Sequence, residues 1–381
     1  MKKIIYSLSV CFLLFNSSAI AQLPGWTYKN TITVQENSGV DLYDYQLKLT
    51  FATDALISAG KMNPDGSDIR IGKDASGNTL LNYWLEGPIN SPNTVIWIKV
   101  DSLLAGQSKN LYLFYGNNTA LSTSTINVFS GPSSSTDSVA SGGAGGATNS
   151  QRGFRFSPNE DVLVTHFGKR EPNGTTRYVT LFDFTTNAIV KQIQVSGPAA
   201  EYSYDTIGSP IWLTQNTQYL LELYQGATDG YYFGSSSQIG QALTYYDMRY
   251  CNSCTQNTFP TQVLGGYQYG YPDLWYYTKQ NIAQPPTVNL VLCSVNPVCQ
   301  NATIYLDVTG NATLTALQID NGSSSSCAGI ATITVSPSIF TCSNAGINTV
   351  TLVVTDSIGN IDSCTSTVTV LDTTKPFISC N

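Results

Sequence analysis

Apolar and polar positions alternate strictly along much of this chain, a period that sends successive side chains to opposite faces of an extended strand. In TVIWIKV (94–100), Val95, Trp97 and Lys99 share one face while Ile96, Ile98 and Val100 share the other. KNLYLFYGN (109–117) continues the alternation and stops at a Gly-Asn turn. Further on, ATIYLDV, ATLTALQI, ATITV, NTVTLVVTD and STVTVLD read as short strands at near-regular spacing, with GN and NG turns between them. Such spacing is the mark of a sandwich. Outside the first residues no apolar stripe of helical period is sustained. The predicted class is all-β, built as tandem β-sandwich modules.

Two interruptions divide the pattern. Residues 131–150, GPSSSTDSVASGGAGGATNS, carry too little apolar area to offset ordering and read as a Ser/Gly linker. NIAQPPTV (281–288) reads as a stiffer joint, because two prolines fix φ. The expected modules are therefore 22–130, a Tyr-rich 151–280 and 289–373, with 374–381 opening a further repeat. Residues 1–21 read as a secretory signal. Lys2 and Lys3 precede an apolar run, and Ala19-Ile20-Ala21 supplies a small-x-small cleavage site. Export to the cell surface or medium is the expectation, with no membrane-spanning segment in the mature chain.

Charged residues make up only 11% of the chain, against about 25% in ordinary globular proteins. The net charge is −7 and no Lys/Arg cluster exists, which argues against a nucleic-acid partner. Eight cysteines follow the signal, all from Cys251 onward, and in an oxidising compartment they are expected to pair. Cys251 and Cys254 form a C-x-x-C. A zinc site would need two further ligands, and a redox pair would open a helix, so a small disulfide clasp is the reading.

GYQYGYPDLWYY (266–277) concentrates aromatic surface. Alternation puts Tyr267, Tyr269 and Tyr271 on one face, with Trp275 nearby. These four are the candidate ligand contacts, because Tyr and Trp combine an apolar face with a polar tip. The same chemistry equally serves a packed sheet. Trp84 and Trp97 are expected to be buried. Asp68, Arg70 and Glu86 read as an internal salt-bridged group or a ligand contact. The NPDGSD and KDASGN loops hold enough oxygen for Ca²⁺ but lack the spacing of a calcium loop, and no other cofactor is indicated. His166 is the only histidine and reads as structural; no G-x-S-x-G elbow accompanies it. The glutamates are scattered, with no local pair of the kind glycoside hydrolysis uses, and no catalytic residue is assigned.

The blocks GWTYKNTITV, DYQLKLTF, GSDIRIGKDASGNTLLNYWLEG, TVIWIKVDSL and NLYLFYGN resemble the bacterial domain of unknown function 2341 over roughly residues 24–129. That resemblance implies a jelly-roll-like module of exported surface proteins. GFRFSPNEDVLVTHFGKR, RYVTLFDFTTNAIVKQIQV and IWLTQNTQYLLELYQ resemble, more distantly, domain of unknown function 4082 over about 150–278. From Cys299 the order Cys, DNGS, Cys, FTC, G-x-NTVTL, TD-x-x-GN and C-x-x-x-V-x-V resembles the hyalin-repeat-like, immunoglobulin-like modules of Bacteroidetes surface proteins. Within this segment the pairs Cys327–Cys342 and Cys299–Cys364 are expected, closing loops worth about 3 and 4 kcal/mol in the chain-entropy model. Cys293 and Cys380 have no evident partner. Together these features imply a surface recognition or adhesion protein with carbohydrate as ligand. A purely structural stalk and an accessory region of a larger polysaccharide-degrading enzyme are the alternatives.

Overall fold

The structure, a computed structural model, describes residues 23–135, 148–234, 239–265 and 268–373. The signal segment with its cleavage site, the middle of the Ser/Gly linker, Tyr267 and Cys380 lie outside the described residues. The fold is nearly all β, in antiparallel sheets packed as sandwiches. The two α-helices among the described residues, Asp54–Ser58 and Ala316–Ile319, are single turns.

In the first sandwich, strands Leu42–Phe51, Thr94–Leu103 and Tyr83–Glu86 form one sheet. It packs on a five-stranded sheet centred on Tyr28–Gln35 and Ser108–Tyr115. Ile96, Ile98 and Val100 enter the core with Ile32, Leu47, Leu111 and Leu113, as their shared face predicts. The edge of the five-stranded sheet comes from far along the chain. Strand Thr287–Leu290 begins inside the segment read as a proline joint and pairs antiparallel with Tyr28–Gln35. Val288 and Leu290 pack against the first core, so the chain returns to this sandwich after building the second.

The second sandwich sets a four-stranded sheet against a six-stranded one. The four strands lie in the order Ser203–Leu213, Val162–Lys169, Pro272–Thr278, Ser130–Ser134. Its interior holds Phe154, Phe156, Val164, Phe167, Leu221, Leu223, Leu274 and Tyr276. The third sandwich has the order Ala302–Tyr305, Ile361–Leu371, Gly346–Asp356, Ile330–Ser336, its first pair running parallel. Val350, Leu352, Val354, Val368 and Val370 fill its core.

Three disulfides form among the described residues: Cys251–Cys254, Cys293–Cys327 and Cys299–Cys364. Cys327 thus pairs with Cys293 rather than Cys342, whose thiol is free and exposed. The cause is local. Strand Val295–Asn296 pairs with Ser324–Ser325, which brings the cysteines just outside each strand together. A non-reduced digest should therefore yield a Cys293–Cys327 peptide; a Cys327–Cys342 peptide would refute this pairing. The 34-residue separation makes this bond worth about 4 kcal/mol in the chain-entropy model.

The expected ion group at Asp68, Arg70 and Glu86 is not formed. Arg70 donates to the carbonyls of Ser67, Ile69 and Leu121, and Asp68 accepts from the amides of Asn63 and Gly116. Glu86 turns away to the module boundary. There it accepts hydrogen bonds from the indole nitrogens of Trp97 and Trp212, each at 2.5 Å. Around this carboxylate, Trp97, Val128, Phe129, Leu163 and Tyr277 form an apolar cluster joining the first two sandwiches. Phe129 is its hub, with ring centroids of Trp84, Trp97 and Trp212 at 5.7, 5.3 and 5.5 Å. The third sandwich is tied to the first as well. Asn360 Oδ1 accepts from the buried Lys29 amide at 2.9 Å, and Lys61 pairs with Asp362 at 2.9 Å.

Candidate functional site

The outer face of the four-stranded sheet gathers aromatic side chains from three strands. In Val162–Lys169, Val164 and Phe167 point inward, so simple alternation cannot hold between them. A register shift between Val164 and His166 resolves the conflict and places His166 opposite Trp275. Their ring centroids are 4.9 Å apart. Trp275 then stacks on Tyr204 at 4.4 Å and 28°, and Tyr204 on Tyr202 at 6.1 Å and 19°. All four side chains are half-buried. The Arg170 guanidinium closes the row, 5.9 Å from the Tyr202 ring and 4.8 Å from Tyr232.

A glycine makes this arrangement sterically feasible. A Cβ at Gly168 would lie 2.4 Å from the Tyr204 ring, so only a residue without a side chain lets that ring lie across the strand. Below the row sits Asp273, fully buried. Its carboxylate accepts from Ser134 Oγ, Ser135 Oγ and Tyr204 Oη at 2.5 Å each, and from the Leu274 amide at 2.7 Å. Burial raises its pKa from the ordinary carboxylate value, with the hydroxyl donors opposing. Burial likewise raises the Tyr204 phenol, reinforced by the Asp273 charge. His166 is lowered by burial, against the pull of Asp205, so its imidazole is neutral at neutral pH. The row is thus an aromatic surface with the Arg170 guanidinium at its Tyr202 end, anchored from below by a satisfied polar cluster. It can stack a flat apolar face and offer hydrogen-bonding groups along its edges.

Of the candidate ligand contacts, the structure places Trp275 at the centre of this row. Tyr271 is buried and cannot meet a partner. Gly270 and Tyr271 both take positive φ, 77° and 47°, which breaks the extended run and turns Tyr271 out of the predicted face. The Tyr269 backbone pairs with Phe233 in a short two-stranded ribbon. Sequence reasoning missed Tyr202, Tyr204, Asp273 and the part played by His166. The i, i+2 spacing of YSY (202–204) was the available signal, since it puts both tyrosines on one strand face.

The other proposed chemistries fare differently. Asp65 caps the Ser67 amide, and Asp74 accepts from the amides of Ser76, Asn78 and Thr79. The oxygens considered for Ca²⁺ are thus turned to their own loops. Among the described residues no three His, Cys, Asp or Glu side chains converge as a metal site. The Cys251–Cys254 bond clasps a loop whose carbonyls at Thr255 and Thr258 accept from Gln151.

A family model described as Domain of unknown function (DUF2341) matches residues 65–137, within and just beyond the first sandwich. No curated relative matches the chain. Among solved structures, dimeric latent PorU from Porphyromonas gingivalis aligns over 68% of this chain and 26% of its own, at 10% identity and a TM-score of 0.18. The chain thus spans about a quarter of the length of that protein.

Proposed function

We propose that this chain is an exported surface recognition protein whose second sandwich binds a saccharide along the Tyr202–Tyr204–Trp275–His166 row, without catalysis. The observation that carries the reading is the stack itself. Three rings held nearly parallel and half-open to solvent cost little entropy to present, because Gly168 and Asp273 already fix them. A sugar offers C–H faces to ring surfaces and hydroxyls to polar tips, the combination that Tyr and Trp accept. Thr206, paired with His166, and Arg170 supply hydrogen-bonding groups beside the row. Three disulfides fit an oxidising extracellular setting.

The test is glycan-array and calorimetric binding by the chain lacking residues 1–21. Binding should weaken about tenfold in Trp275→Ala, since a lost aromatic contact is worth roughly 1 kcal/mol or more. Tyr202→Ala, at the Arg170 end of the stack, should weaken it in the same direction. A clean negative across plant, algal and host glycans would leave the chain a structural stalk.

A further inference from the structure

A second, separate site lies where the chain leaves the middle sandwich and crosses the first. Residues 279–286 run past the outer side of strand Leu42–Phe51 and enclose a cleft of about 290 Å³. Gln46, Lys48, Trp97, Lys279, Asn281 and Pro285 are among its walls. Those walls are pinned from both sides. Gln46 Oε1 accepts from the Gln280 amide at 2.8 Å, Gln280 Nε2 donates to the Tyr43 carbonyl at 2.8 Å, and Asn281 Nδ2 donates to Glu160 at 3.1 Å. The cleft is preformed, and it sits at a module boundary, where small-molecule sites concentrate.

Its charge distribution points to the ligand. Lys48 and Lys279 both approach the Trp97 ring, at 5.6 and 5.7 Å from its centroid. The nearby carboxylates are engaged: Asp161 pairs with Lys279 at 3.1 Å, Glu86 accepts from two indoles, and Glu160 accepts from Asn281. Lys48 has no hydrogen-bond or ion-pair partner among the described residues, in a chain whose net charge is −7. We propose that this cleft binds an acidic saccharide unit, whose carboxylate or sulfate is met by Lys48 and whose hydroxyls meet the polar wall at Gln46, Gln280 and Asn281. The site is distinct from the aromatic row and does not depend on it.

The test uses the chain lacking residues 1–21 with three probes: a galacturonate trimer, a sulfated galactose oligomer and a neutral galactose trimer. One or both acidic probes should bind, more weakly as salt rises from about 20 mM to 0.5 M, where exposed charge pairs are screened. Lys48→Gln, at an exposed position, should weaken that binding roughly tenfold, as loss of a charge-assisted contact does. The loss on Lys48→Gln should be equally large in a Trp275→Ala background, which separates failure here from failure of the row. Binding of only the carboxylate or only the sulfate probe, sensitive to Lys48→Gln, identifies the anion. Acidic binding that does not weaken with salt, indifference to Lys48→Gln, or no acidic binding at all would overturn the proposal.

Discussion

Replacing Phe129 with alanine is expected to destabilise the chain by about 3–5 kcal/mol, the range for deleting a buried aromatic ring, and to uncouple its first two sandwiches. Phe129 touches Trp84, Trp97 and Trp212 at the boundary, and its removal leaves a cavity that neither sheet can collapse into. The same boundary contains the Glu86 carboxylate with its two indole donors. Those hydrogen bonds need Trp97 and Trp212 held 5.6 Å apart across the modules. Loosening the apolar cluster therefore exposes polar groups as well. Differential scanning calorimetry of the variant should resolve two transitions where the native chain has coupled ones. Unfolding indistinguishable from the native chain would show that the boundary contributes little.

Glu222→Gln is expected to stabilise the protein at neutral pH, because the amide has no charge to desolvate and needs no proton taken up on folding. Strand Tyr219–Gln225 runs within the six-stranded sheet, with Leu221 and Leu223 in the core and Glu222 on the opposite face beside Thr180 and Gly153. Glu222 is fully buried, and neither carboxyl oxygen has a hydrogen-bond partner among the described residues. The loop clasped by Cys251–Cys254 covers this face, fixed through Gln192 and Thr180 to the Gln256 carbonyl. Burial raises the Glu222 pKa well above its ordinary value, and Arg152 and Arg249 only partly oppose it.

The sign follows from proton linkage. Below the ordinary glutamate value both folded and unfolded states hold the proton, and the group carries no penalty. As pH rises, the unfolded chain releases its proton first, so stability falls across the window up to the raised folded value and then levels. Denaturant unfolding from pH 4 to 8 should show a steeper decline in the native chain than in Glu222→Gln, the remainder coming from Asp273, whose pKa burial also raises. Parallel pH profiles for the two proteins would contradict it.

How much of this was legible beforehand depends on what alternation can report. In TVIWIKV it separates two faces correctly: Ile96, Ile98 and Val100 enter the first core, and Val95 and Trp97 face outward. It cannot say that a second sandwich covers that outward face, because the covering residues, Leu163, Trp212 and Tyr277, are remote in sequence. The same limit hid strand Thr287–Leu290, whose prolines and short apolar run look like a joint until Tyr28–Gln35 supplies a partner. Cys293 had no visible mate, since its pairing depends on a two-residue strand contact rather than on loop length.

At the candidate site, Trp275 was found because aromatic residues cluster around it. Its neighbours were not, because His166 reaches the row through a register shift and Tyr204 through the space above Gly168. Tyr271 was misplaced for the converse reason. A two-residue excursion to positive φ cancels the alternation on which its assignment rested.

The claim that the outer aromatic row is a saccharide surface is tested most directly by nuclear magnetic resonance of the indole N–H groups, one from each of the five tryptophans. On titration with a neutral oligosaccharide that binds the chain, the Trp275 signal should shift saturably. The Trp97 and Trp212 signals, whose protons are held by Glu86, should stay in place. Saturable binding that leaves Trp275 unmoved would contradict the account.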